Sequence, residues 1–116
     1  MTTVDVEFLI IGDDYKADNE RTINFTFDAI PDFTLAAVGK MGFDNDEDSL
    51  LVEGGTLTDN EDGTWTVSFE IDQADTTGLT PGNYNWSIEI SEGGEEVTVG
   101  RNDTKVEQIK WVEKYT

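Results

Sequence analysis

The sequence predicts an all-β fold, a two-sheet antiparallel β-sandwich of about seven or eight strands with one short helical turn. Three observations point there. Apolar residues recur at every second position in several segments, Gly- and Pro-containing turns separate those segments, and no stretch keeps a helical period for more than two turns. The chain has 116 residues and no cysteine. Residues 1–116 are therefore expected to form one domain around one core, held by packing without disulfides.

Taken in order, Val4, Val6, Phe8 and Ile10 alternate with acidic and other outward residues and mark a first strand. Ile23, Phe25 and Phe27 alternate with Asn24 and Thr26. Phe33 to Met41 and Leu50 to Thr58 carry weaker strand patterns. Asp59-Asn-Glu-Asp-Gly63 then suits a hairpin with Gly63 at a positive φ. Trp65, Val67, Phe69 and Ile71 alternate with Thr66, Ser68 and Glu70, the pattern of a half-buried strand. From Asp72 to Leu79, an Asp at an N-cap position and a Gly at a stop position predict a single helical turn that carries the chain between sheets.

Thr80-Pro81-Gly82-Asn83 fits a type II turn, with Pro81 presetting φ and Gly82 taking the positive φ of the next position. Tyr84, Trp86, Ile88 and Ile90 follow on one face of a strand. Glu92-Gly-Gly-Glu95 predicts a tight hairpin into Val97 and Val99, and Val106 to Val112 closes the pattern, apolar at both parities toward its end. The expected core contains Phe25, Trp65, Phe69, Trp86 and Ile88, with Trp65 and Trp86 facing each other, because rings on an apolar strand face bury the most area. The strand number and turn spacing are those of an immunoglobulin-like sandwich.

Charge narrows the function. There are 26 acidic and 7 basic residues and no histidine, a formal net charge of −19. Between Met41 and Gly100 stand fifteen Asp or Glu and no Lys or Arg, whereas Arg101 to Thr116 holds four basic and three acidic residues. Nucleic acid is not an expected partner, because replacing condensed counterions needs clustered cations. No signal-peptide pattern opens the chain and no apolar run reaches membrane-spanning length, so synthesis in the cytoplasm and no membrane partner are expected. Without histidine or cysteine no Ser-His-Asp or Cys-His arrangement is available, and no phosphate loop joins a strand to a helix. A non-enzymatic protein without a cofactor is the expectation.

The stretch FDNDEDS spaces Asp44, Asp46 and Asp48 like the first ligands of an EF-hand, which makes weak Ca²⁺ binding conceivable there. Counted from Asp44, however, Ser49 stands where the EF-hand loop needs Gly and Gly55 where it needs the bidentate Glu. A solvated acidic loop is the simpler reading. At the other end, KVEQIKWVEKYT joins the densest positive charge to Trp111 and Tyr115. Ile109, Lys110, Trp111 and Tyr115 are candidate interface residues, since aromatic anchors on a mixed-charge surface oppose contact between acidic subunits least.

The run GTWTVSFEIDQADTTGLTPGNYNWSIEI, continued by SEGGEEVTVGRNDTKV, resembles a β-sandwich family of tailed-phage structural proteins that includes the N-terminal domain of the baseplate upper protein. Gly63, Thr64, Leu79, Pro81, Gly82, Tyr84, Gly94, Gly100 and Val106 stand at that family's turn and strand positions. GDDYKADNERTINFTF resembles its opening strand more loosely. The resemblance implies a virion structural protein of a tail, baseplate or decorated head, assembled in multiple copies through contacts with other virion proteins. The alternative from another class is a carbohydrate- or calcium-binding module of the adhesin type, using acidic loops.

Overall fold

A computed structural model describes residues 3–4, 8–102 and 108–113. The fold is all-β. Its strands are β1 (Thr3–Val4), β2 (Phe8–Ile10), β3 (Ile23–Asp28), β4 (Val38–Asp44), β5 (Ser49–Asp59), β6 (Thr64–Phe69), β7 (Gly82–Glu92), β8 (Glu95–Arg101) and β9 (Ile109–Val112). Short 3-10 turns occupy Ala17–Asn19 and Gln73–Asp75. The second is the single turn expected between Asp72 and Leu79. Asp72 precedes it with extended backbone but makes no side-chain cap.

The strands join in the order β1-β3-β6-β5-β4-β7-β9-β2, with β8 also on β7. All pairings are antiparallel except β2 with β9. The two expected sheets are thus joined through β5 into one mixed sheet that curls as a half-barrel. Thr56–Asp59 of β5 pair with β6, while its earlier residues pair with β4. The bend lies at Gly54 and Gly55. There β4 advances two residues, from Gly39 to Met41, while β5 advances three, from Val52 to Gly55, and Gly54 takes a φ of +80°. This is a bulge with glycine at the left-handed position, which sharpens the local twist.

The alternation sets the core. Phe25, Phe27, Trp65, Val67, Phe69, Trp86, Ile88 and Ile90 are all buried, as the period-two pattern requires. The two tryptophans pack on phenylalanines of β3: Trp65 lies edge-on to Phe27 at 6.4 Å between ring centroids, and Trp86 meets Phe25 at 5.6 Å. The first strand departs from expectation. The chain leaves β3 after β1 and joins β9 in β2, and the buried parity falls on Leu9, leaving Phe8 exposed. Gly82 opens β7 with a φ of +152°, wider than a type II turn uses. The glycine hairpins form as expected, with Gly63 at φ +89° and Gly93 and Gly94 both positive, the mark of a type I′ turn.

A seam closes part of the curl. Tyr15 and Ile71 exchange backbone hydrogen bonds of 2.8 Å in each direction. The Tyr15 hydroxyl accepts from the Ile10 amide, and the fully buried Thr76 hydroxyl accepts from the Gly12 amide, both at 2.7 Å. Arg21 lies over the Tyr15 ring at 4.7 Å and pairs with Asp13 at 3.2 Å. Among the described residues, no helix is long and apolar enough to cross a membrane.

The curl depends on two missing side chains. A Cβ on Gly55 would stand 2.6 Å from a Phe69 ring carbon and 2.8 Å from a Val67 methyl, and one on Gly39 would stand 2.6 Å from the same methyl. Gly55→Ala must push these core groups apart and is expected to lower the unfolding free energy by about 1–3 kcal/mol. Gly42→Ala, which meets only the Ser87 Oγ at 3.5 Å, should stay within about 0.5 kcal/mol of wild type. Urea midpoints compare the two, and equal midpoints would show that the close approach at Gly55 does not exist.

Candidate functional site

The acidic loop between β4 and β5 does not gather its aspartates. Asp44 ends β4, opposite Ser49 on one side and Asn85 on the other. The turn is built on Asn45, whose Oδ1 accepts from the amides of Glu47 and Asp48 at 2.8 Å. Asp48 is committed elsewhere: its Oδ2 accepts from the Thr80 amide at 2.8 Å and ties this loop to the Pro81 turn. Among the described residues no group of three acidic side chains that could hold a metal ion is found, and the Asp48 carboxylate is engaged with Thr80.

Carboxylates instead pin loops to threonines. Asp62 Oδ1 accepts from the Thr64 amide at 3.0 Å, and Glu92 Oε1 accepts from the Thr34 amide at 2.8 Å. These bonds favour the charged form, so Asp48, Asp62 and Glu92 all ionise below the ordinary carboxylate range, each chiefly because of its threonine hydroxyl. Burial pushes the Tyr84 hydroxyl up, and the nearby Asp48 charge adds to that shift.

The C-terminal candidates separate into interior and surface. Ile109 and Trp111 are buried within β9, and the Trp111 ring stands edge-on to Phe43 at 5.5 Å between centroids. This corrects the expectation of an aromatic surface anchor. β9 pairs with β7 and β2 along its edges, and one of its faces, carrying Ile109 and Trp111, is turned into the core. Lys110 is exposed between them, and Tyr115 lies outside the described residues. The apparent apolarity at both parities resolves, within β9, into ordinary alternation.

What the sequence did not single out is a groove on the outer face of β5, β4, β7 and β8, with a volume of about 520 Å³. It follows from strand parity. Met41, Phe43, Trp86 and Ile88 point inward, so Gly42, Asp44, Asn85 and Ser87 share the other face. Register sets Gly42 between Leu51 on β5 and Ser87 on β7, and Ser87 is opposite Arg101 on β8. Gly42 is the floor, Leu51 a half-exposed apolar wall, and Arg101 lines the far side.

A hydrogen-bonded frame holds one end of this groove. The Asn102 amide donates to the Trp86 carbonyl at 3.2 Å, and the Asn102 Oδ1 accepts from the Trp86 amide at 2.8 Å. Asn85 Oδ1 then accepts from Asn102 Nδ2 and from Gln108 Nε2, both at 3.0 Å. Both donors on one oxygen fix the Asn85 amide plane and leave its NH₂ as a donor.

No protein-family model matches the chain, and no characterised protein matches it in sequence.

The Asp48 contact makes a pH prediction. Its pKa is depressed in the folded state, so the stabilisation is present above the unfolded carboxylate pKa and is lost as pH falls through the folded value. Asp48→Ala should unfold at lower urea than wild type near neutral pH, and the gap should close in acid once Asp48 is protonated. A gap that persists unchanged in acid would mean that the carboxylate charge does not hold the Pro81 turn.

Proposed function

We propose that the chain is an immunoglobulin-like sandwich serving as a non-enzymatic structural protein of a tailed-phage particle, in the tail, the baseplate or the head decoration. It works through contacts with other virion proteins and further copies of itself, with neither nucleic acid, membrane nor cofactor taking part.

Strand order supports the sandwich. The run β1-β3-β6-β5 follows the A-B-E-D sheet of an immunoglobulin domain, and β9-β7-β4 follows G-F-C. Near the start of β7, the Tyr84 hydroxyl donates to the Thr80 carbonyl at 2.6 Å, the bond of a tyrosine corner at the E–F connection. Two residues later stands Trp86, where antibody domains place the second cysteine of their inter-sheet disulfide. Its ring meets Phe25 of β3, so a ring contact takes the place of the covalent bridge.

The virion reading is carried by one observation, the resemblance in sequence. Its residues lie at turns and strand ends here: Gly63 precedes β6 and Thr64 begins it, Leu79 and Pro81 flank the turn into β7, Gly82 and Tyr84 stand at its start, Gly94 lies in the hairpin, and Gly100 stands one residue before the end of β8. Val106 lies outside the described residues. The acidic surface suits such a role, because like charge keeps unassembled copies soluble and apart from nucleic acid.

Quantitative mass spectrometry of tailed particles purified from the host that carries the gene tests this. The chain should be present at several copies per particle. Its absence from intact particles, with recovery only in the soluble fraction, would overturn the reading.

A further inference from the structure

We propose that the groove over Gly42 binds a short neutral saccharide. The inference is independent of the virion reading and stands on the groove's shape and chemistry. Its volume, about 520 Å³, lies within the range of small-ligand sites. It is open to solvent and crosses neighbouring strands, which suits an extended chain of rings rather than a compact, enclosed ligand.

The wall chemistry asks for a partner whose groups both donate and accept. Asn85 presents NH₂ donors held by the bonds its oxygen makes to Asn102 and Gln108. The Asp44 carboxylate offers acceptors only, Ser87 can do either, and Arg101 only donates. Sugar hydroxyls satisfy such a mixture, because each gives one hydrogen and takes others. Leu51, 59% exposed, offers an apolar wall for the C–H face of a ring. Gly42 leaves the space for that ring, as only the Ser87 Oγ comes within 4 Å of where its Cβ would be.

Electrostatics selects against other occupants. An anionic ligand would approach a molecule of formal charge −19, with Asp44 itself in the groove. A bare cation would need gathered carboxylates, and the described residues hold no such group. A neutral polyol meets neither obstacle.

Titration of the ¹⁵N-labelled chain with maltotriose, cellotriose and chitotriose, followed by amide chemical shifts, tests the proposal. At least one of the three should move Gly42, Ser87 and the Asn85 side-chain NH₂ with millimolar affinity. Gly42→Leu should abolish those shifts while the rest of the spectrum stays folded. Leu51→Ser, at an exposed position that folding does not depend on, should weaken binding about tenfold. The proposal is overturned if none of the three sugars moves the groove resonances, or if the shifts survive both substitutions. It is equally overturned if concentrating the protein alone moves them, since a second copy would then occupy the groove.

Discussion

The contact between Phe25 and Trp86 is the one on which the other features depend. Their rings lie 5.6 Å apart and tilted by 33°, joining β3 on one side of the curled sheet to β7 on the other. Phe25 also meets Phe69 edge-on at 6.0 Å, so it sits at the centre of a three-ring cluster spanning both halves. Without cysteine, nothing covalent can join these strands. Both backbone faces of the Trp86 position are in use: the side chain enters the core while its amide and carbonyl hold Asn102. The frame beside the outer groove is therefore registered by the same residue that fills the core.

Curvature allows that contact to form. β5 serves both halves of the sheet, and its bulge at Gly54 turns it from β4 toward β6. Gly39 and Gly55 then let β4 and β5 come down onto Val67 and Phe69. A side chain at either place would hold the halves apart and weaken dispersion contacts that fall off steeply with distance. Polar ties finish what the rings begin. Asp48 on Thr80, Glu92 on Thr34 and Thr76 on Gly12 each fasten a loop to a strand end. Much of the acidic surface is solvated, yet three of its carboxylates hold loops to threonines.

Much of this was legible because it is local. The period-two runs at Phe25, Trp65 and Trp86 identify their strands and inward faces, and the glycines at 63, 93 and 94 mark their hairpins through a φ that other residues avoid. What escaped was long-range. Gly39 and Gly55 look like breaks in weak strands, since nothing local shows that Phe69 will press on them. The split of the first strand between β3 and β9 changes which residue is buried, and alternation alone cannot reveal a change of partner. Trp111 looked like a surface anchor because Phe43, the ring it packs on, is far away in sequence. The groove was invisible for the same reason: Gly42, Leu51, Asn85 and Arg101 meet only through register. The loop between β4 and β5 was legible only as acidic; its turn is set by Asn45, whose Oδ1 takes the Glu47 and Asp48 amides.

A double-mutant cycle on Phe25 and Trp86 tests most directly whether their contact holds the two halves together. Phe25→Leu, Trp86→Leu and the double variant keep both sites apolar while removing the ring pair. In urea unfolding the double variant should lose about 0.5–1.5 kcal/mol less than the sum of the two single losses, which is the coupling energy of the ring pair. Additivity within about 0.3 kcal/mol would contradict the account, because the two rings would then contribute as independent core residues rather than as a bridge.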